Sequence, residues 1–196
     1  MTVGVVDARN VWTGGPDQLT SGAILSAPLT ATIPTDPLAG PYTGFTSCGY
    51  VSEDGLTLSL SKSFENIKDW SGSIVKRVLS EFDGTAKYAH LEVNEQSLKN
   101  TFGDANVTVT AATSTEGKQI KVGIGADDMP AKRFIFKMKD GGARVVVVLP
   151  SATVTETEDI VFVKNDAIKL GVTLGAAPDS TGKSIYIHTD DGIFSA

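Results

Sequence analysis

Long stretches of this chain alternate between hydrophobic and polar residues, with the two-residue period of half-buried β-strands. The alternation is clearest in residues 168–174, and it recurs in residues 56–61, 119–124 and 133–139. Residues 145–149 are hydrophobic on both faces, as in a strand that is covered on both sides. The pattern therefore predicts a mainly β fold.

One segment has the pattern of a short helix instead, Glu95–Phe102. Asn94 can accept a hydrogen bond from a free backbone N–H as the N-cap, and Gly103 can adopt the left-handed conformation that often ends helices. A helix of two turns is not stable alone, so we expect it to pack beside a sheet at about residues 94–102.

Turn signals separate several of the predicted strands. Asp83-Gly84 and residues 140–142 are predicted to connect hairpins, because glycine supplies the positive φ that tight turns require. Residues 73–82 could form a helix, but the turn signal that follows them favours one arm of a hairpin. Together these elements predict a β-sandwich of two packed sheets with one short flanking helix.

The first 46 residues differ from the rest of the chain. They contain five of the eight prolines and only four charged residues. Proline at this density prevents helix and central strand, whereas the aliphatic residues argue against a disordered tail. We therefore divide the chain into an extended Pro-rich N-terminal arm, residues 1–46, and a single domain, residues 47–196. The arm is expected to dock on its own subunit or on a neighbour.

Composition narrows the functional classes. A net charge of −6 argues against a phosphate-binding surface. It does not argue against DNA that passes along an acidic surface without binding to it. The single cysteine, Cys48, excludes an intrachain disulfide, so we expect folding in a reducing cytosol. We expect neither a signal peptide nor a membrane span, since no apolar run approaches the ~20 residues that a span requires.

Residues 177–184 fit a relaxed phosphate-loop pattern with alanine in place of the first glycine. A phosphate loop needs a following helix whose N-terminal N–H groups hold the phosphates. Residues 185–189 have a strand pattern instead. We therefore interpret the segment as a hairpin turn and predict no bound cofactor.

Few other residues could support catalysis or metal binding. Ser184, His188 and Asp190 would lie on one short strand, whereas a catalytic triad is built from separated elements. His90 also lies in a predicted strand. Two histidines and one cysteine leave too few ligands for a zinc site. We predict no catalytic residue and no metal site.

Residues 49–103 combine strand alternation, an Asp-Gly turn and the short helix, beginning with GYVSEDGL. This order resembles the major tail proteins (tail tube proteins) of siphophages, especially phages of actinobacteria. APLTATIPTDPLAG, residues 27–40, is similar to that family's Pro-rich arm. AKRFIFKMKDGG and GVTLGAAPDSTGKSIYIHTDDG are similar to its later strands. The resemblance covers most of residues 26–196.

The resemblance implies a β-sandwich with a side helix that assembles into hexameric rings. The rings would stack into a tube around the tape-measure protein and bind the tail terminator and tail-tip proteins. After ejection of the tape-measure protein, the lumen would conduct DNA, and we expect that lumen to be net acidic. The protein would be assembled in the host cytoplasm and would reside in the virion tail.

Ring closure and ring stacking need separate contact surfaces. The arm and the connection formed by residues 61–72 are candidates for stacking. Large aromatic residues in glycine-flanked segments are candidate anchors, since aromatic residues are enriched at interface centres. The candidate inter-subunit contacts are Trp12, Ile24, Leu29, Ile33, Pro34, Asp36, Phe64 and Trp70.

The alternative from another class is a carbohydrate-binding β-sandwich module of a virion. An aromatic content of 7% argues against it, since sugar sites rely on aromatic rings. A nucleotide hydrolase is a third hypothesis, and it depends on residues 177–184 alone. A nucleotide-dependent thermal shift would distinguish it from the others.

Overall fold

The computed structural model describes residues 6–17 and 22–194. The mainly β fold with one short helix is confirmed. Short 3₁₀ turns lie at Ala8–Asn10 and Asp104–Asn106, and helix α1 (Glu95–Phe102) lies between the fourth and fifth strands. The strands are β1 (Ile24–Pro28), β2 (Thr46–Ser47), β3 (Thr57–Lys68), β4 (Ile74–His90), β5 (Val107–Thr110), β6 (Gln119–Val122), β7 (Lys132–Asp140), β8 (Ala143–Thr157), β9 (Leu170–Ala177) and β10 (Tyr186–Asp190).

Eight of these strands form one antiparallel sheet in the order β2-β1-β7-β8-β9-β4-β3, with β10 paired to β8. β9 pairs with residues 151–157 of β8, and β10 pairs with residues 144–148 on the same edge. Residues 178–185 therefore form a loop between two strands that follow one another along β8. β5 and β6 form a separate hairpin.

The two ends of the main sheet are joined by residues 46–52. At one end, β2 pairs with β1, and the Cys48 N–H donates to the Ile24 carbonyl at 3.0 Å. At the other end, the Ser52 N–H donates to the Ala89 carbonyl at 2.9 Å. The sheet is thus rolled so that its ends meet. We call this part of the molecule the rolled body, and its two layers belong to one continuous sheet.

The inner core of the rolled body receives side chains from five strands. Tyr88 of β4 contacts Phe136 of β7 edge-on, with ring centroids 5.4 Å apart. Burial of each large apolar side chain stabilises the fold by about 1.5–3 kcal/mol. The main members of this core are Ile24, Ala86, Tyr88, Phe134, Phe136, Val147, Leu149, Val172 and Leu174.

Residues 29–45 cover the outer face of β1, β7 and β8. Ile33, Leu38, Tyr42 and Phe45 pack there on a second apolar cluster that contains Ile135. The predicted division at residue 46 is therefore not a division of the sheet. β1 lies before it and pairs with β7, so this part of the arm belongs to its own subunit's core.

Helix α1 has the bounds that the sequence predicts. The Asn94 side chain accepts a hydrogen bond from the Ser97 N–H at 2.9 Å, and Gly103 ends the helix with φ of 91°. Leu98 packs against Val107 and Leu170, which holds the helix beside the sheet. In the described residues, no helix is long and apolar enough to cross a membrane.

A buried polar cluster connects α1 to one end of the rolled body. The Asn100 amide donates to Ser26 Oγ at 3.0 Å and to Cys48 Sγ at 3.1 Å. Lys132 Nζ donates to Asn100 Oδ1 at 3.3 Å and to the Lys99 carbonyl at 3.2 Å. Burial raises the pKa of the Cys48 thiol to about 11, so this cysteine is protonated and unreactive at neutral pH.

Two predicted turns are wrong. Asp83-Gly84 lies within β4, where Asp83 pairs with Ser61, because the strand continues to a turn at residues 69–73. Residues 178–185 are not a hairpin turn, since β9 and β10 pair with β8 and not with each other. Asp179 organises this loop by accepting from Tyr186 Oη at 2.7 Å and the Thr181 N–H at 2.8 Å. These bonds, led by the one from Tyr186, lower the pKa of Asp179.

Candidate assembly surface

The distal parts of β3 and β4 form a hairpin that leaves the rolled body. β4 pairs with β9 only from Thr85 onward, and every residue in the range 59–83 is exposed. At about 3.3 Å per residue, the hairpin extends on the order of 35 Å beyond its last contact with β9. We call residues 59–83 the projecting hairpin.

One face of the projecting hairpin is apolar. Residues that pair directly across two strands lie on the same face. Leu58 pairs with Ala86, and both belong to the inner core. Continuing along the same face, Leu60 pairs with Gly84 and Phe64 pairs with Leu79. The apolar face thus continues the core-facing surface of the body into solvent; it consists of Leu60, Phe64, Ile74, Leu79 and Phe82.

The opposite face, which we call the polar face, carries small hydroxyl residues with Glu65, Glu81 and Asp83. Toward the tip it also carries Ile67, Val78 and one basic residue, Lys76. The apolar face instead carries basic residues among its apolar ones, since Lys62 pairs with Phe82 and Lys68 with Ile74, and Arg77 lies opposite Asn66. The strand carboxylates therefore lie on one face of the projecting hairpin, and three of its four basic residues lie on the other.

The tip of the projecting hairpin is a turn held by Asp69. Its carboxylate accepts from Ser71 Oγ at 2.7 Å and from the Ser73 N–H at 2.8 Å. These hydrogen bonds, led by the one from Ser71, lower the pKa of Asp69. Gly72 has a φ of 86° and completes the turn. Trp70 stands between these anchored residues with its side chain fully in solvent.

A projecting hairpin of this kind needs further contacts to be stable. An isolated two-stranded hairpin is marginally stable in water, and a large exposed apolar patch marks an interaction site. β3 is also the end of the sheet order, so in the described residues β4 is its only strand partner. A free edge of this kind can pair with a strand of another molecule. Geometry and chemistry both indicate an assembly surface.

The sequence-predicted contact residues fall into three groups. Phe64 and Trp70 lie on the projecting hairpin, 53% and 105% exposed respectively. Leu29, Pro34 and Asp36 lie in the outer layer of residues 29–45 with Ile33, which packs on its own sheet. Leu29 is 43% exposed, and its carbonyl accepts from Arg133 Nε at 3.1 Å. Asp36 accepts from the Leu38 N–H at 2.9 Å.

Ile24 and Trp12 lie elsewhere. Ile24 is only 2% exposed and sits in the inner core, where it serves its own subunit rather than a neighbour. Trp12 is half-buried, and its Nε1 donates to the Arg9 carbonyl at 2.8 Å. The structure brings Phe64 and Trp70 onto one hairpin but does not bring the eight candidates into one surface.

Sequence reasoning missed most of the apolar face, namely Leu60, Ile74, Leu79 and Phe82. A signal was present, since Phe64 keeps the register of the alternation in residues 56–61, although Lys62 interrupts it. It was hidden because Asp83-Gly84 was interpreted as the hairpin turn, which separates residues 74–82 from their true partners in β3.

The described residues offer few other candidates for a metal, catalytic or nucleotide site. No group of three or more His, Cys, Asp or Glu residues in that part of the chain could hold a metal ion. Burial lowers the pKa of His90 to about 4, so its imidazole is neutral in the inner core beside Tyr88. Residues 177–184, which match a relaxed phosphate-loop pattern, lead into β10 and not into a helix.

Comparisons with known proteins identify the family of this chain. A comparison with curated proteins gave no match. A cryo-EM structure described as the anti-feeding prophage cap (tube terminating cap) is 11% identical, with a TM-score of 0.45 over 97% of this chain and 100% of that chain. A family model described as phage tail tube protein matches residues 19–192. Because that match spans most of the sequence, the chain belongs to the phage tail tube protein family.

Proposed function

We propose that this protein is the structural subunit of a non-contractile phage tail tube. Copies assemble into hexameric rings, and the rings stack around the tape-measure protein. After that protein is ejected, the lumen conducts DNA into the host. Family membership supports a structural tail tube subunit. The observation that carries the assembly step is the projecting hairpin, whose apolar face is exposed among residues 6–17 and 22–194.

Two kinds of contact support closed rings. The free edge of β3 can pair with a neighbouring strand, which continues the sheet from one subunit to the next. The apolar face can pack on a neighbour, which removes it from water. Repetition of one heterologous contact closes a ring when the rotation allows it. Residues 6–17 and the exposed part of residues 29–45 remain available for a second, stacking contact.

The polar face of the projecting hairpin suits the lumen. Glu65, Glu81 and Asp83 repel phosphates, whereas a wall rich in lysine and arginine would hold DNA in a salt-dependent manner. DNA is then a cargo that passes without specific binding. We propose that these carboxylates contribute to a net acidic lumen.

The other partners follow from the same proposal. A tube must end against a tail terminator and a tail-tip protein, and its subunits are made in the host cytoplasm before they enter the virion tail. The strings quoted from residues 27–103 favour a siphophage of an actinobacterial host. The carbohydrate-binding alternative gains no support from the family match.

Negative-stain electron microscopy of concentrated, purified protein tests the assembly step. We expect rings or tubes of uniform width, without any added cofactor. Sedimentation velocity over a hundredfold range of concentration provides the quantitative readout. A protein that remains monomeric at the highest concentration, also in the presence of tail components, would contradict the proposal.

A further inference from the structure

The tip of the projecting hairpin presents a tryptophan whose side chain lies outside the apolar clusters of the described residues. Trp70 is 105% exposed. The hydrogen bonds of Asp69 to Ser71 and Ser73 fix the backbone on the C-terminal side of the indole. An anchor on an ordered support loses less conformational entropy when it binds. Trp70 therefore has the properties of an interface hot spot, for which tryptophan is enriched.

The rolled body carries a cavity that fits such a side chain. Its volume is about 330 Å³, and it opens at the Met138 end of β7, away from the end that α1 closes. Gly14 and Gly15 border it without side chains. A tryptophan buries about 150–250 Å² on insertion into a site of this kind. The apolar side chains that line the cavity are Pro16, Ala23, Ile24, Val51, Leu56, Phe136 and Met138.

The charges around the two features are complementary. Glu53 lines the cavity and is exposed, and Asp54 follows it. Lys68 lies two residues before Trp70, on the same face of the projecting hairpin as Arg77. Within the described ranges, neither Glu53 nor Lys68 takes part in an ion pair. A cation beside the anchor thus matches an acid beside the cavity.

We propose that Trp70 of one subunit inserts into this cavity of a second copy, with Lys68 beside Glu53 of the receiving copy. The inference rests on the proposed function, since it names the contact that joins copies of this chain. The reach of the projecting hairpin, on the order of 35 Å, is close to the diameter of a compact domain of this length. The tip can therefore cross to the body of a neighbour while the apolar face lies along it.

A cysteine cross-link tests the contact directly. Gly14→Cys places a thiol at the cavity, where an added Cβ would meet only Met138 Sδ at 3.9 Å. Trp70→Cys places a second thiol at the tip, and buried Cys48 does not compete. We expect a disulfide-linked dimer when the two variants are mixed with excess wild-type protein and mildly oxidised. Each variant alone is the control and should give no such dimer.

The concentration at which assembly begins gives an energetic test. Trp70→Ala should raise it about tenfold or more, since hot-spot residues cost more than about 1.4 kcal/mol on truncation. Trp70→Phe should have a smaller effect because it keeps a ring, and Gly14→Leu should act like Trp70→Ala by filling the cavity. Lys76→Glu, on the polar face, is the matched control.

A charge exchange tests the orientation. Lys68→Glu and Glu53→Lys should each weaken assembly, and the double variant should recover most of the loss, because the ion pair is restored in reverse. Wild-type tubes together with normal assembly of Trp70→Ala and no mixed disulfide would overturn the docking inference and leave the tube proposal standing. Wild-type protein that forms no rings or tubes would overturn both.

Discussion

The rolled body and the projecting hairpin share two strands, yet they bury their apolar residues differently. In the body half of β4, Ala86 and Tyr88 point into the inner core. In the hairpin half, Leu79 and Phe82 lie on the same face and are exposed. Alternation therefore specifies which face must be covered, but it does not specify whether the cover comes from the same chain. In the described residues of this chain, the hairpin half is the one whose apolar face stays exposed.

Shortening the hairpin should separate folding from assembly most completely. Residues 63–81 are replaced by Asn-Gly, which joins Lys62 to Phe82, already opposite in the ladder. A two-residue turn of this type suits a hairpin. We expect a folded monomer at every concentration, because the removed residues are exposed and contribute nothing to the inner core.

Far-UV circular dichroism and thermal unfolding check the body, and sedimentation velocity checks assembly. A control of wild-type length, with residues 63–81 retained and Ser63 changed to Thr, should assemble normally. Tubes from the shortened protein would show that the hairpin is dispensable and that the two regions do not differ as described.

Two Phe→Ala substitutions, one in the rolled body and one in the projecting hairpin, compare the two regions. Phe136→Ala removes a ring from the inner core and should lower the free energy of unfolding by about 3–5 kcal/mol. Phe64→Ala removes a ring that is 53% exposed, so its effect on the monomer should be much smaller, about 0.5 kcal/mol. Urea unfolding at low protein concentration measures both.

Assembly should respond to Phe64→Ala even though the stability of the monomer changes little. Phe64→Ala should raise the concentration needed for tubes although its monomer is nearly as stable as wild type. Equal destabilisation of the two monomers would mean that the hairpin is packed within its own subunit.

Lowering the pH should destabilise the rolled body, because His90 is buried in its neutral form. Burial lowers the pKa of His90 from 6.5 to about 4. Below about pH 6.5 the unfolded chain binds a proton at this position, and the folded chain does not until about pH 4. Stability from this residue is therefore present above pH 6.5 and lost as the pH falls toward 4, by about 2–3 kcal/mol.

Urea unfolding of wild type and His90→Phe between pH 7 and pH 4.5 isolates this contribution. Phenylalanine keeps a ring beside Tyr88, whose centroid lies 4.9 Å from that of His90. In the variant, the free energy of unfolding should fall less steeply with falling pH, because the contribution of His90 is removed. An unchanged slope would show that His90 does not titrate differently in the folded state.

The smallest expected effect concerns the polar face. Changing Glu65, Glu81 and Asp83 to lysine should leave tubes intact but make them retain DNA at low salt and release it at high salt. Co-sedimentation of a labelled DNA duplex with tubes measures the retention. Glu116→Lys, outside the hairpin, is the control. DNA bound equally by wild-type tubes would contradict the acidic lumen.

Local signals in the sequence predicted local structure well. The bounds of α1 follow from Asn94 and Gly103, because capping depends on residues within one turn of the helix. The strands around residues 133–139 and 145–149 were found for a similar reason, since alternation is a property of neighbouring residues. Phe64 and Trp70 were recognised as candidates from their surroundings in sequence.

Features that depend on distant partners were not predicted. Asp83-Gly84 has the composition of a turn, but its pairing with Ser61 is decided by the length of β3. Ile24 lies in a proline-rich segment, yet β7 offers it a pairing edge that no local pattern reveals. The closure of the roll by residues 46–52 depends on two strands that are distant in sequence.

The loop between β9 and β10 has a practical consequence. Both flanking strands are held independently along β8, and Asp179 closes the base of the loop. Each doubling of a loop's length costs only about 0.6 kcal/mol when its ends are already fixed. A peptide inserted at Gly182, which is exposed, would therefore leave the sheet intact. If every copy in a filament carried such an insert, the polymer would be a scaffold that displays ligands at a regular spacing.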